Sequence, residues 1–168
     1  MCVAASNTIA AVARRVSPLT LVALALAAGV SGCGRGGGLD HPPDTCTGGS
    51  AAARVTAIRS ALARAPQPVA LRDGTRISDC VAHASDSGDI QTVGSELLTV
   101  TQRLADAAPS SQAALTQLGY LIGAAHRGAD RAPGVDDELV RRLEQELFDV
   151  DVSSPAYRAG ERAGRASG

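Results

Sequence analysis

From Ala51 to Leu147 the aliphatic residues recur every three or four positions, a pattern that restricts the chain to helices burying one face each. Val55, Ile58 and Leu62 form the first stripe, with Ser50 ahead of it as the N-cap of a helix predicted over 51–63. Pro66 and Pro68 stop that helix. Ile90, Val93, Leu97, Val100 and Leu104 draw the next long stripe, over 89–107. Ala114, Leu118, Leu121, Ile122 and Ala125 follow, started by Pro109-Ser110-Ser111 and ended by Gly128 and Pro133-Gly134. Val135, Leu139, Val140, Leu143 and Leu147 complete the set over 135–148. Ser78 is positioned to cap a shorter helix carrying Cys80, Val81 and Ala84, which Ser85-Asp86-Ser87-Gly88 breaks.

The expected fold is therefore all-α: a small bundle of four to five helices, the long ones antiparallel neighbours across short links. One segment departs from the helical period. Residues 69–77 carry Asp73-Gly74 between short apolar runs, which predicts a tight turn or a minimal two-stranded hairpin. Gly119 and Gly123 fall on one helix face and imply close approach of a neighbouring helix. His126 and Arg127 beside them exclude a membrane dimer seam. Residues 151–168, rich in Ala, Gly and Arg, are expected to be a tail, either frayed helix or disordered.

The N-terminal segment follows different physics. Arg14 and Arg15 precede an apolar run from Pro18 to Val30. A bilayer span needs about 20 apolar residues, so this run reads as a secretory signal. It closes on Val30-Ser31-Gly32-Cys33, which resembles the lipobox of bacterial lipoproteins: an aliphatic residue, two small ones, then cysteine. The resemblance covers the export segment alone. It implies cleavage between Gly32 and Cys33, a diacylglyceryl thioether on Cys33 with fatty acyl chains such as palmitate, and attachment to the extracytoplasmic face of a bacterial membrane. The domains expected are a signal peptide (1–32), a lipidated cysteine with a Gly/Pro tether (33–45), a helical domain (46–150) and the tail (151–168). Gly34 to Gly38, with one arginine, is too costly in backbone entropy to order, and the stretch from Gly34 to Thr45 reaches about 20 Å as a coil.

Cysteine arithmetic supports this. An ordinary cut at Ala23-Leu24-Ala25 leaves Cys33, Cys46 and Cys80, an odd number in an oxidising compartment. Lipidating Cys33 leaves Cys46 and Cys80 to pair, and that disulfide is the expectation here. Two sharper readings use the same residues. His41, Cys46, Cys80 and His83 are zinc-type ligands, but their spacing matches no familiar finger. Cys80 and His83 form a nucleophile-and-base pair only if the thiol is free.

Other motifs read more simply. Asp86-Ser87-Gly88-Asp89 lacks the distant bidentate glutamate of a calcium loop and suits helix capping. Asp136, Asp137 and Glu138 ahead of Arg141 and Arg142 match the helix dipole, with Asp137–Arg141 and Glu138–Arg142 as i,i+4 pairs on a solvated or partner-binding face. Arg158, Arg162 and Arg165 recur at helical spacing and suit either an anionic lipid surface or plain solvent.

Composition narrows the function. Aromatic residues are 2% of the chain, Tyr120, Phe148 and Tyr157, too few for a sugar- or single-strand-stacking face. All 16 basic residues are arginine; losing Arg14 and Arg15 leaves 14 against 17 acids, a formal −3 that argues against a nucleic-acid partner. No hydrolase elbow, phosphate loop or dinucleotide fingerprint occurs, and no cofactor or metal is expected. The reading is a membrane-anchored, non-enzymatic helical module of the cell envelope with an envelope protein as partner. The alternative is a small envelope enzyme or metal handler using His83, His126 or nearby acids, and a small-ligand carrier would show itself by an oversized apolar pocket.

Overall fold

The computed structural model describes residues 41–132 and 135–168, with the side chains of Val135 and Asp136 left aside. The signal segment, the cleavage site at Gly32, the lipid acceptor Cys33 and most of the tether lie outside the described residues, as does the Pro133-Gly134 link. Seven helices follow in order: α1 (Asp44–Thr47), α2 (Ala51–Leu62), α3 (Ile77–Ala82), α4 (Ser87–Ala107), α5 (Gln112–Ala129), α6 (Val135–Gln145) and α7 (Pro155–Ser167), with a 3-10 turn at Ala108–Ser110 between α4 and α5. No strand occurs among the described residues, so the fold is all-α.

The long helices begin where short polar side chains satisfy orphan N–H groups. Ser50 Oγ accepts from Ala53 N at 3.3 Å, Asp86 Oδ1 from Asp89 N at 2.8 Å, and Ser111 Oγ from Ala114 N at 3.1 Å. Ser78 departs from expectation. It lies inside α3, fully buried, and donates to the carbonyl of Gly168. The first turn of α3 is closed instead by Asp79, which accepts from Arg76 N at 3.2 Å.

Helix α5 is the axis of the fold. Leu118, Tyr120, Leu121, Ile122, Ala124 and Ala125 are all essentially inaccessible, so it is apolar on nearly every side and must be surrounded. It packs against α2, α3, α4, α6 and α7. Residues 69–77 form a turn rather than a hairpin: Gly74 N donates to Leu71 O at 3.0 Å and Leu71 N to Thr75 O at 2.8 Å. Gly74 sits at φ +88°, a left-handed conformation that favours glycine. Val69, Leu71 and Ile77 are all buried in the core.

The frayed or disordered tail expected at 151–168 is instead an ordered helix after its first few residues. Ser154 Oγ caps α7 by accepting from Tyr157 N at 3.3 Å, and Pro155 occupies the first helical position. The reason it docks is a glycine seam. A Cβ on Gly119 would strike the carbonyl oxygen of Tyr157, and one on Gly123 that of Glu161. From the other side, Gly160 faces Thr116 O and Gly164 faces Tyr120 O just as closely. Four glycines, two per helix at four-residue spacing, thus bring the backbones of α5 and α7 into contact. Arg127 Nη1 finishes the seam by donating to the α7 carbonyls of Arg165 and Ala166 at 3.0 and 2.7 Å.

Candidate functional site

The described chain enters the bundle through a short, heavily fastened stretch. Cys46 on α1 and Cys80 on α3 are joined by a disulfide, with Cα atoms 5.5 Å apart. Both sulfurs are thereby consumed, so neither thiolate is free for the zinc set with His41 and His83 or for a Cys80–His83 nucleophile. Beside the bridge, Arg54 and Glu96 form a buried ion pair with side chains 11% and 4% exposed. Arg54 Nε donates to Glu96 Oε1 at 2.6 Å, while its Nη1 reaches the carbonyls of Thr47, Gly48 and Gly49 at 2.9, 3.0 and 2.6 Å. One guanidinium therefore holds α1, the 47–49 loop, α2 and α4 together. The Glu96 bond pushes the Arg54 pKa up, against the opposing pull of burial.

Sequence reasoning missed this pair, although a signal was present. Glu96 falls on the apolar stripe between Val93 and Val100, where a charge survives only with a buried partner. The same end carries His41, whose Nδ1 lies 3.1 Å from Asp89 Oδ2 and 3.4 Å from Asp86 Oδ2. Their ligand atoms all fall within 4.8 Å of one another, so this trio is the geometry for a cation among the described residues. The setting opposes one: the trio sits on the N-terminus of α4, where the helix dipole disfavours positive charge beyond what the carboxylates absorb. Asp86 is held below the ordinary aspartate range first by the Asp89 backbone N–H, burial opposing, with His41 adding attraction. The capping reading of 86–89 thus describes what these acids do.

Several acids and arginines elsewhere are likewise spent on structure. Asp79 accepts from Arg131 Nη2 at 2.8 Å, and the same nitrogen reaches Ser78 Oγ at 3.0 Å. Burial pushes the Asp79 carboxyl up, but Arg131 and the Arg76 N–H outweigh it and hold it low. On α6, Arg141 pairs with Glu138 rather than with Asp137: Glu138 takes both Arg141 (2.7 Å) and Arg142 (2.8 Å). Hydrogen bonds from those two guanidiniums hold Glu138 down at about 2, with slight burial opposing. His126 Nε2 meets Glu144 at 2.8 Å at the surface between α5 and α6. Arg158, Arg162 and Arg165 all lie on the exposed side of α7.

Among the described residues, one apolar feature is left without an internal partner. Helices α4 and α6 diverge to leave an open groove of about 650 Å³. Ile90, Gly94 and Leu98 floor it from α4 and Leu139 from α6, with Glu138 and Arg142 at the rim. It is open because Gly94 has no side chain where a larger residue would fill the gap; a Cβ there would meet only Leu139 Cδ1, at 3.4 Å. Beyond the end of α6 stands Phe148, 93% exposed, with Val152 at 44% in the same linker. The predicted helix over 135–148 ends at Gln145, so Phe148 lies past its end. No protein-family model, curated protein or solved structure matches this chain.

Proposed function

We propose that the chain is a bacterial lipoprotein, anchored through Cys33 to the extracytoplasmic face of a membrane, whose helical domain is a non-enzymatic interaction module of the cell envelope. The observation that carries this reading is the Cys46–Cys80 disulfide. A bridge between these two residues suits an exported chain. It also leaves Cys33 as the single cysteine with no thiol partner once Cys2 departs with the signal. That is the residue the lipobox marks for acylation. The described bundle begins at His41, eight residues after Cys33, so the Gly-rich stretch between them serves as a spacer from the headgroups.

A module without catalysis fits the way the titratable side chains are used. Asp79, Asp86 and Glu138 cap helices or hold arginines, and His126 pairs with Glu144 on the surface. What the surface offers instead is apolar: a groove and a lone exposed phenylalanine. Metabolic labelling with a tagged palmitate tests the anchor. The wild-type chain is expected to carry label and to partition with membranes, and Cys33→Ala is expected to lose both. Label that persists in Cys33→Ala, or an unlabelled wild-type chain, overturns the reading.

A further inference from the structure

We propose that the α4–α6 groove is a cradle for one acyl chain of the protein's own lipid, the diacylglyceryl thioether on Cys33, so that the domain docks back onto its anchor. The inference rests on the lipoprotein reading and adds an intramolecular site to it. The shape of the groove, its place relative to the tether and its charge together select that occupant.

The groove is long and apolar. On α4 it is lined at Ser87, Ile90, Gln91, Gly94 and Leu98, positions three or four apart that make one continuous stripe. From Ser87 to Leu98 that stripe runs about 16 Å at helical rise. Leu139 faces it from α6. A trough of this length, floored by aliphatic groups and left open at Gly94, suits a flexible hydrocarbon chain lying along α4.

The tether delivers the lipid to one end of that trough. His41 Nδ1 lies 3.1 Å from Asp89 Oδ2 and 3.4 Å from Asp86 Oδ2, which fixes the start of the described chain to the end of α4 where the groove begins. Cys33 is eight residues before His41. Eight residues span about 14–17 Å as a coil and at most about 26–29 Å extended. The Cys33 sulfur therefore reaches the Ser87–Ile90 end with length to spare. Tethering also makes the encounter intramolecular, so even a shallow groove meets its own lipid at a high effective concentration.

Charge distinguishes this lipid from others. Arg142, the one basic residue lining the groove among the described residues, is held by Glu138, which takes Arg141 as well. Asp86 and Asp89 stand at the mouth with His41 against them. A fatty-acid carboxylate or a phospholipid phosphate would bring a negative charge here with no cation to receive it. The thioether-linked diglyceride is uncharged. Its ester oxygens need only neutral donors, which the side chains of Ser87 and Gln91 carry. The same arrangement that repels an acidic ligand thus suits the neutral lipid on Cys33.

The test is photocross-linking in cells that make the full chain and are fed a palmitate analogue with a diazirine in its tail. After irradiation, mass spectrometry is expected to find an internal link from the lipidated Cys33 peptide to residues 87–98 or 138–142, in protein that migrates as a monomer. Gly94→Leu fills the trough, and Leu98→Glu places a charge in its floor. Each should lose the link and keep the label on Cys33, with melting curves of the purified variants showing that they fold; two unlike substitutions keep the test open if one of them does not. Cys33→Ala, which offers the groove only bilayer lipid, should show no adduct at these residues. A phospholipid adduct in the groove assigns the site to bilayer lipid and overturns the proposal. So does a link that is unchanged in both groove variants. Label on Cys33 with no link to the groove overturns the proposal and leaves the anchor standing, whereas wild-type chain without label overturns the anchor and the proposal with it.

Discussion

At the scale of single residues, the bundle hangs on a few polar groups placed where water cannot reach. Arg54 and Glu96 are the most exacting of these, because the Glu96 carboxylate is almost wholly shielded and the Arg54 guanidinium is its charged partner. Removing one partner of a buried pair costs about 3–5 kcal/mol, whereas replacing both by apolar groups is close to neutral. Urea unfolding should therefore find Arg54→Met destabilised by about that amount and Arg54→Met/Glu96→Leu substantially recovered; equal losses in the two would refute the argument. Tyr120 makes a related claim. Its hydroxyl accepts from Val69 N at 2.9 Å inside the core and meets Ser167 Oγ at 3.2 Å. Tyr120→Phe strands a buried N–H and should lower stability by about 1–3 kcal/mol, read as a shift of the urea midpoint without a change of slope. Asp79 supplies the pH term. Its folded carboxyl is held low against burial by Arg131 and the Arg76 N–H, so its contribution is full above the unfolded aspartate pKa of about 3.9. The contribution disappears as pH falls through the lower folded value. Asp79→Asn should lose stability at neutral pH and show a flatter acid limb in melts between about pH 5 and 2.

At the scale of elements, α7 has least of the ordinary material of packing. Its face toward α5 is Tyr157 followed by Gly160 and Gly164, so contact is made by backbones and not by interlocking aliphatics. Such a seam has no slack. Overpacking a close-fitting site costs about 1–3 kcal/mol, and here the obstruction is main chain that cannot rotate aside. Gly160→Leu should release α7, and hydrogen exchange should show the amides of 156–167 losing protection while those of α4 keep theirs. Arg162→Leu, on the exposed side, should leave both unchanged. The seam also shows where sequence reasoning reaches and where it stops. The long stripes, from Val93 through Leu104 and from Leu118 through Ala125, were readable because each helix declares its own buried face by its own periodicity. Gly119 and Gly123 declared a close neighbour in the same way. They could not name it, since the partner lies more than thirty residues on and its matching signal is only small residues amid arginines. Composition alone made that segment resemble a tail. The end of α6 was misplaced for a different reason: the apolar period runs to Leu147 and does not show that the helix ends at Gln145. Glu96 was legible as an anomaly in its stripe, yet its partner Arg54 was not, because only the folded chain brings α2 onto α4.

For the whole molecule, the question is how a body with so few large side chains stays folded. The bridge from Cys46 to Cys80 closes 34 residues, which the chain-entropy model values at about 3–4 kcal/mol. Domains of this size are stable by only about 5–15 kcal/mol in all, so the oxidised and reduced proteins should differ visibly. The loop it closes contains α2 and the 69–77 turn, and its ends lie beside the Arg54–Glu96 pair. Losing the bridge should thus loosen the stretch that meets the tether before it loosens α5. This links stability to redox environment, since such bonds form and persist in oxidising compartments. The full chain should yield protein whose Cys46 and Cys80 resist a thiol-alkylating reagent until a reductant is added. A chain that starts at Cys33 behind a new initiator methionine, and so stays inside the cell, should be alkylated at once, unfold at lower urea by about 3–4 kcal/mol and be cleaved by protease first between residues 41 and 76. Cys46→Ser/Cys80→Ser expressed with its signal should match that retained chain in stability although it reaches the other compartment. If instead the double variant is as stable as the oxidised wild type, the bridge is incidental to the fold and the disulfide loses its weight in the argument for export.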